Sequence, residues 1–222
     1  MNKTIAIVSG GLDSVTLGYK LKAEGHDLHL LGFNYGQRHV RELEFGRACA
    51  ARLDAVYEII DIAAFGRMLK GSALTDDIAV PHGHYAAPNM AVTVVPNRNA
   101  IFLALAYGVA VAEAADFVAI GVHAGDHPIY PDCRPAFLNA FDAMEKMAVA
   151  GHGNPNLSLL APFANFSKTD IVTLGAKLGV PFAETWSCYE GREIHCGLCG
   201  TCVERKEAFQ LAGVADPTTY RI

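Results

Sequence analysis

Thr4-Ile5-Ala6-Ile7-Val8-Ser9-Gly10-Gly11-Leu12-Asp13-Ser14 is an apolar, largely β-branched run that stops at a glycine pair. A short run with no polar alternation reads as a strand buried on both faces. The period then changes. Val15, Leu17, Leu21 and Ala23 give residues 13–23 a helix-like apolar face. The same hand-over repeats downstream. Strands are expected at 28–33, 56–60, 117–122 and 157–161, and helices at 40–53, 99–115, 135–147, 168–178 and 203–211. Strand–helix alternation of this kind implies an α/β, Rossmann-like parallel sheet with helices on both faces. Ligands of such sheets sit at the C-terminal ends of the strands. Residues 1–180 are expected to form this domain, and residues 181–222 a small helical segment packed on it. Residues 71–96 hold three Pro, two Gly and two His with little periodicity, which reads as a long excursion.

The glycine loop suits an anion. Gly10 and Gly11 let the backbone turn tightly and expose N–H groups, the next helix offers its positive end, and Ser9 and Ser14 add hydroxyls. Asp13 would repel a phosphate directly. It suits Mg²⁺ bridging phosphates, or a helix cap. The plain alternative is a strand–helix turn with a Ser/Asp cap. The loop is neither the Walker A pattern nor the dinucleotide fingerprint.

The chain has 222 residues, 18% of them charged, and a formal net charge of −5. It is too apolar for intrinsic disorder, and too acidic to favour stable nucleic-acid binding through phosphate neutralisation. No signal segment is visible at the N-terminus. The longest apolar stretch, 100–112, is shorter than the roughly 20 residues of a membrane span. A cytoplasmic protein with no membrane partner is expected. Six cysteines are too few for a secreted disulfide scaffold, and four of them crowd into 188–202. Cys188, Cys196, Cys199 and Cys202 have the spacing of a four-thiolate Zn²⁺ site, saturated and therefore structural. An iron–sulfur cluster and a redox dithiol are the alternatives. His195 is a spare ligand, and Trp186 and Tyr189 are expected to pack the knuckle. Cys49 and Cys133 read as ordinary thiols. His82 and His84 lack a third ligand.

Ser-Gly-Gly-x-Asp-Ser after an N-terminal strand resembles the PP-loop of ATP pyrophosphatases. Five further segments extend the likeness: Phe33-Asn34-Tyr35-Gly36-Gln37-Arg38-His39, Val95-Pro96-Asn97-Arg98-Asn99, Gly121-Val122, Tyr130-Pro131-Asp132-Cys133-Arg134 and Ser167-Lys168-Thr169-Asp170. With the cysteines, in this order, residues from about 4 to about 210 resemble the QueC family of 7-cyano-7-deazaguanine synthases. The resemblance implies the adenine nucleotide alpha hydrolase-like fold and conversion of 7-carboxy-7-deazaguanine, ammonia and ATP to the 7-cyano compound in queuosine biosynthesis. It implies one zinc per subunit on the four cysteines, and a homodimer. It places ATP, with Mg²⁺, on Val8, Ser9, Gly10, Gly11, Leu12, Asp13, Ser14, Val15, Thr16 and Gly121, and chemistry on Asp13, Lys168 and Arg98. Arg38, Arg98 and Arg134 are then candidates for carboxylate or phosphate. Phe33, Tyr35 and Tyr130 are candidates for stacking on a planar base. Asp126 or Asp132 would accept the guanine-like N–H donors or bind Mg²⁺. Residues 123–129 depart from the family's Cys-Glu-Thr-Asp-Phe-Ser-Gly, keeping Asp126, and Leu12 stands where Gln is frequent. Alternatives are a QueC-like enzyme with another acceptor, a tRNA thiolase, and a non-enzymatic zinc module.

Overall fold

β1 (Lys3–Ile7) lies in the middle of the sheet and leads into α1 (Leu12–Ala23). There follow β2 (Asp27–Asn34), α2 (Glu42–Leu53), β3 (Val56–Asp61) and the single turn α3 (Ala63–Gly66). The second half runs α4 (Arg98–Ala112), β4 (Phe117–Ala119), α5 (Pro135–Ala148), β5 (Ser158–Leu160), α6 (Lys168–Lys177) and α7 (Gly200–Ala212). The computed structural model describes residues 1–221. All five strands pair in parallel in the order β3-β2-β1-β4-β5.

The alternation along β1 builds two cores. Ile5 and Ile7 face one layer, with Leu103 and Tyr107 of α4 and Phe141 of α5. Ala6, with Val8 just beyond the strand, faces the other, with Val15 of α1, Leu53 of α2, Ile171 of α6 and Phe209 of α7. Burial on both sides is why the opening run is apolar at successive positions. The expected sheet with helices on both faces is therefore the observed one.

Local differences have local causes. The helix expected from 40 begins at Glu42, because Gln37 draws the preceding chain into a turn: its side chain accepts the Tyr35 N–H at 2.9 Å and donates to the Phe33 carbonyl at 2.9 Å. β4 stops at Ala119, short of the expected 122. Gly121 passes so close to α1 that a Cβ there would lie 3.4 Å from the Asp13 and Ser14 backbone. The last helix starts at Gly200 and not at 203, so Cys202 sits in its first turn. A wider span, Pro88–Ala112, takes in a 3-10 turn at Pro88–Thr93 ahead of α4, and its 25 residues are long and apolar enough to cross a membrane by length and composition. Here its Phe102, Leu103, Ala106 and Tyr107 are buried as a core helix against the sheet.

Two loops close over the C-terminal ends of the strands. The 71–96 excursion is stitched to the cysteine segment by a His82–Cys199 bridge, with the Gly83 N–H on the Leu198 carbonyl at 3.0 Å. The cysteine segment is pinned by Arg205, fully buried, which donates to Thr185 Oγ1 (2.7 Å), the Phe182 carbonyl (2.9 Å) and Asp216 Oδ1 (3.2 Å). Removing one partner of a buried ion pair strands the other. Arg205→Ala is expected to cost about 3 kcal/mol in urea unfolding, and an unchanged midpoint would contradict this anchoring.

Candidate active site

Strand order reverses between β1 and β4, where a doubly wound sheet opens a crevice. A cavity of about 210 Å³ lies there. Its floor is the Ser9–Ser14 loop. Gly10 has φ +102°, and a Cβ on it would fall 2.0 Å from the Glu42 carbonyl oxygen, so only glycine fits. Ser9 Oγ accepts the Gly11 N–H (3.2 Å), and Ser14 Oγ accepts the Gly10 N–H (3.3 Å) and donates to the Gly11 carbonyl (3.1 Å). No side chain caps α1, Asp13 included. Its first turn faces the cavity at Gly11, Leu12, Asp13 and Ser14, an arrangement that attracts anions.

A charge cluster adjoins this loop. Lys168 opens α6, whose start is fixed by a Ser167–Asp170 capping box. Its Nζ donates to Asp13 Oδ2 at 2.5 Å and lies 3.5 Å from Glu204 Oε2. Burial alone would lower the Lys168 pKa, but Asp13, Glu204 and Asp126 together raise it, so the ammonium is charged. His123 Nδ1 accepts the Gly125 N–H at 3.1 Å, leaving Nε2 between Asp13 (3.9 Å), Asp126 (3.7 Å) and Glu204 (3.8 Å). Asp13 Oδ1 is buried with no partner. An orphaned carboxylate oxygen among acidic neighbours is the donor chemistry of a hard cation, and Mg²⁺ fits it.

Arg98, the first residue of α4, is half-buried and lines the same cavity. Among the described residues it makes no salt bridge; its hydrogen-bonding partner is Tyr35. Burial opposes its charge, yet Tyr35, Tyr189, Tyr130 and Cys133 around it raise its pKa. A guanidinium with no salt bridge among the described residues, facing a cavity, is a receptor for an anion. Phe33 stacks on Phe102 (centroids 4.1 Å apart) and lines the cavity. Tyr130 is held by Thr93 Oγ1 (2.7 Å) and lies 3.4 Å from the Tyr189 hydroxyl.

The four cysteine Sγ atoms lie within 4.8 Å of one another, all buried. Zn–S bonds of about 2.3 Å require tetrahedral S···S edges of about 3.8 Å, and Cys196 Sγ and Cys202 Sγ are 3.9 Å apart. The N–H groups of Leu198 (3.4 Å) and Cys199 (3.2 Å) point at Cys196 Sγ. The set can hold a metal ion, and zinc fits it. His195 is not a fifth donor, because its Nε2 accepts the Ser187 N–H at 3.0 Å.

The structure thus gathers Ser9, Gly11, Leu12, Asp13, Ser14, Gly121, Phe33, Tyr35, Arg98, Asp126, Tyr130 and Lys168 around one cavity. Val8, Gly10, Val15 and Thr16 do not line it. Three candidates are elsewhere. Arg38 is exposed and donates to the Asp76 (3.1 Å) and Ile78 (3.0 Å) carbonyls, tying down the excursion. Asp132 accepts the Asn99 N–H (2.9 Å) at the start of α4, and Arg134 donates to the His127 carbonyl (2.9 Å). Trp186 and Tyr189 pack on the cysteine knuckle as expected, and both also line the cavity. His39, from the Phe33–His39 segment, also lines it, as do Glu42 and Glu204, which no motif in the sequence marked.

Burial pushes the Glu42 carboxyl up to about 7, and burial, aided by Arg98, pushes His39 down to about 3. An acid raised in the fold stabilises it below the unfolded pKa near 4.5, and that contribution disappears as pH rises through about 7. Glu42→Gln is therefore expected to be more stable than the parent chain at pH 8, by about 3 kcal/mol, with the gap closing by pH 4.5. Parallel melting curves across that range would contradict this placement.

Residues 3–213 match the profile of the queuosine biosynthesis protein QueC. The chain is 61% identical over 218 residues to a 7-cyano-7-deazaguanine synthase of Rhizobium rhizogenes, covering 98% of this chain and 92% of that one. It is 59% identical to that of Brucella ovis, covering 98% and 93%. Among solved structures, NMN synthetase from Francisella tularensis superposes with a TM-score of 0.52 at 16% identity, over 96% of this chain and 78% of that one, a likeness of fold.

Proposed function

The chain belongs to the QueC family of queuosine biosynthesis proteins, and from that membership we propose that it converts 7-carboxy-7-deazaguanine, ammonia and ATP to 7-cyano-7-deazaguanine. The observation that carries the chemistry is one cavity holding the Ser9–Ser14 anion loop, Lys168 and Arg98, which makes no salt bridge among the described residues.

A carboxylate resists attack because its oxygen is a poor leaving group. Transfer of AMP to it, with release of pyrophosphate, makes that oxygen leave as AMP. The loop N–H groups and Lys168 stabilise negative charge developing on the departing pyrophosphate. Arg98 holds the substrate carboxylate in its planar fork, and Phe33, Tyr35 and Tyr130 enclose the deazaguanine ring. Ammonia then bonds the acyl carbon, and AMP departs with the C–O electron pair. A second adenylation, now on the amide oxygen, and loss of that oxygen leave the nitrile. Asp13 would hold Mg²⁺, which supplies charge neutralisation to the polyphosphate when bound. Cys188, Cys196, Cys199 and Cys202 would hold a structural zinc. A cytoplasmic homodimer with small-molecule substrates completes the reading.

A thiolase needs a reactive cysteine. Cys133 is the one thiol outside the cluster that lines the cavity among the described residues. Its pKa is raised by burial, the reverse of an activated thiolate. The test is incubation with ATP, Mg²⁺, ammonium and 7-carboxy-7-deazaguanine, with mass spectrometry of the products. The cyano compound with AMP and pyrophosphate is expected. No product from folded, zinc-replete protein would overturn the substrate assignment.

A further inference from the structure

A second, water-sized void of about 30 Å³ adjoins the main cavity. It lies between the excursion, the 125–130 loop and the start of α7, and Asp126, Tyr130, Tyr189, Thr201 and Glu204 line both spaces. Its own walls are Tyr85, Met90, Thr93, Gly125, Ile129 and Gly200. Tyr85 and Ile129 are half-buried, whereas Met90 is 3% exposed. Met90 crosses directly over Gly200, where a Cβ would lie 2.9 Å from its Sδ. The narrow point is therefore set by a flexible thioether against a residue with no side chain.

We infer that this void is the access route of the amine substrate, admitting ammonium or ammonia and excluding larger amines. The inference rests on the function proposed above and names the path of its third reactant. On that reading the main cavity holds both ATP and a bicyclic acid, so a nucleophile arriving after them needs its own approach. The void has the size for one water or one ammonium. The wall it shares with the main cavity carries the Asp126 and Glu204 carboxylates and the Tyr130 and Tyr189 rings, groups that attract a small cation. Its own walls include the apolar Met90 and Ile129, which favour passage of a neutral molecule. The chemistry balances. Ammonium gives one proton to the Asp126 carboxylate and a second to water, its nitrogen bonds the acyl carbon, and AMP leaves with the C–O electron pair.

Ile129→Trp narrows the void at its half-buried rim, at a residue that lines the void and not the main cavity. With the zinc-replete enzyme, the KM for ammonium is expected to rise at least about 10-fold while the KM for ATP stays within about two-fold. Met90→Ala widens the narrow point and is expected to let methylamine compete, seen as the N-methylamide by mass spectrometry. An unchanged ammonium KM in Ile129→Trp together with no methylamide from Met90→Ala would overturn the route. Absence of any ammonium-dependent AMP release from the unmodified enzyme would instead overturn the proposed function, so the two failures are distinct.

Discussion

Lys168→Met is expected to lower kcat by about 10³-fold, with the chain still folded. The length and the aliphatic stem survive, so the loss isolates the ammonium. That charge lies 2.5 Å from Asp13, on the loop proposed to grip the polyphosphate. A preorganised cation or donor at a developing phosphate charge is worth about 10²–10⁵-fold in rate. The substitution also leaves Asp13, Asp126 and Glu204 with only His123 among them. Acidic groups so exposed to one another repel an anionic nucleotide, so the KM for ATP is expected to rise as well. Glu204→Gln removes one support of the lysine without removing the charge, and its expected loss is smaller, about 10-fold. Steady-state kinetics on both variants, with circular dichroism as the control for folding, checks this order. A Lys168→Met enzyme within about 10-fold of the parent would remove the lysine from the chemistry.

Cys199→Ser is expected to abolish metal binding and to cost on the order of 5 kcal/mol of stability, because binding energy of a structural metal is folding energy. The effect should reach the cavity. Ser187 and Tyr189 flank Cys188, and Thr201 and Glu204 flank Cys202, and all four line the cavity. One wall of the site is thus built on the cysteine cluster. Partial zinc removal by a chelator is expected to reduce turnover in step with metal content, before global unfolding is visible. Cys133→Ser, whose Sγ only accepts from Asn99 Nδ2 (3.1 Å), should keep a full complement of metal. Full metal content in Cys199→Ser would show that the ligand set is wrong.

The parts legible in the sequence were those coded locally. The first strand and its glycine loop are a change of period at one place, and the cysteines are a spacing. Lys168 and Arg98 stood in short motifs, and both reached the cavity. Arg38, Asp132 and Arg134 stood in equally suggestive segments and became backbone clamps, because a guanidinium or carboxylate serves a carbonyl or a helix start as readily as a ligand. Glu42, His123 and Glu204 were not legible, since only the packing of α2, the 123–129 loop and α7 brings them to one place, whereas His39 stood in the Phe33–His39 segment with no role attached to it. Tyr189 could have been found: a tyrosine beside the first cysteine of a knot that covers the sheet's C-terminal edge has the cavity in reach. The start of α7 at Gly200 was hidden for a different reason, namely that glycine and cysteine are poor helix formers and the fold overrides them.

The central claim is that this cavity activates a carboxylate by transferring AMP to it. The most direct measurement uses 7-carboxy-7-deazaguanine with ¹⁸O in both carboxylate oxygens, incubated with the enzyme, ATP, Mg²⁺ and ammonium. Mass spectrometry of the released nucleotide is expected to find one ¹⁸O in each AMP, from the acid in the first activation and from the amide in the second. ADP with labelled inorganic phosphate, or unlabelled AMP beside labelled water, would contradict it.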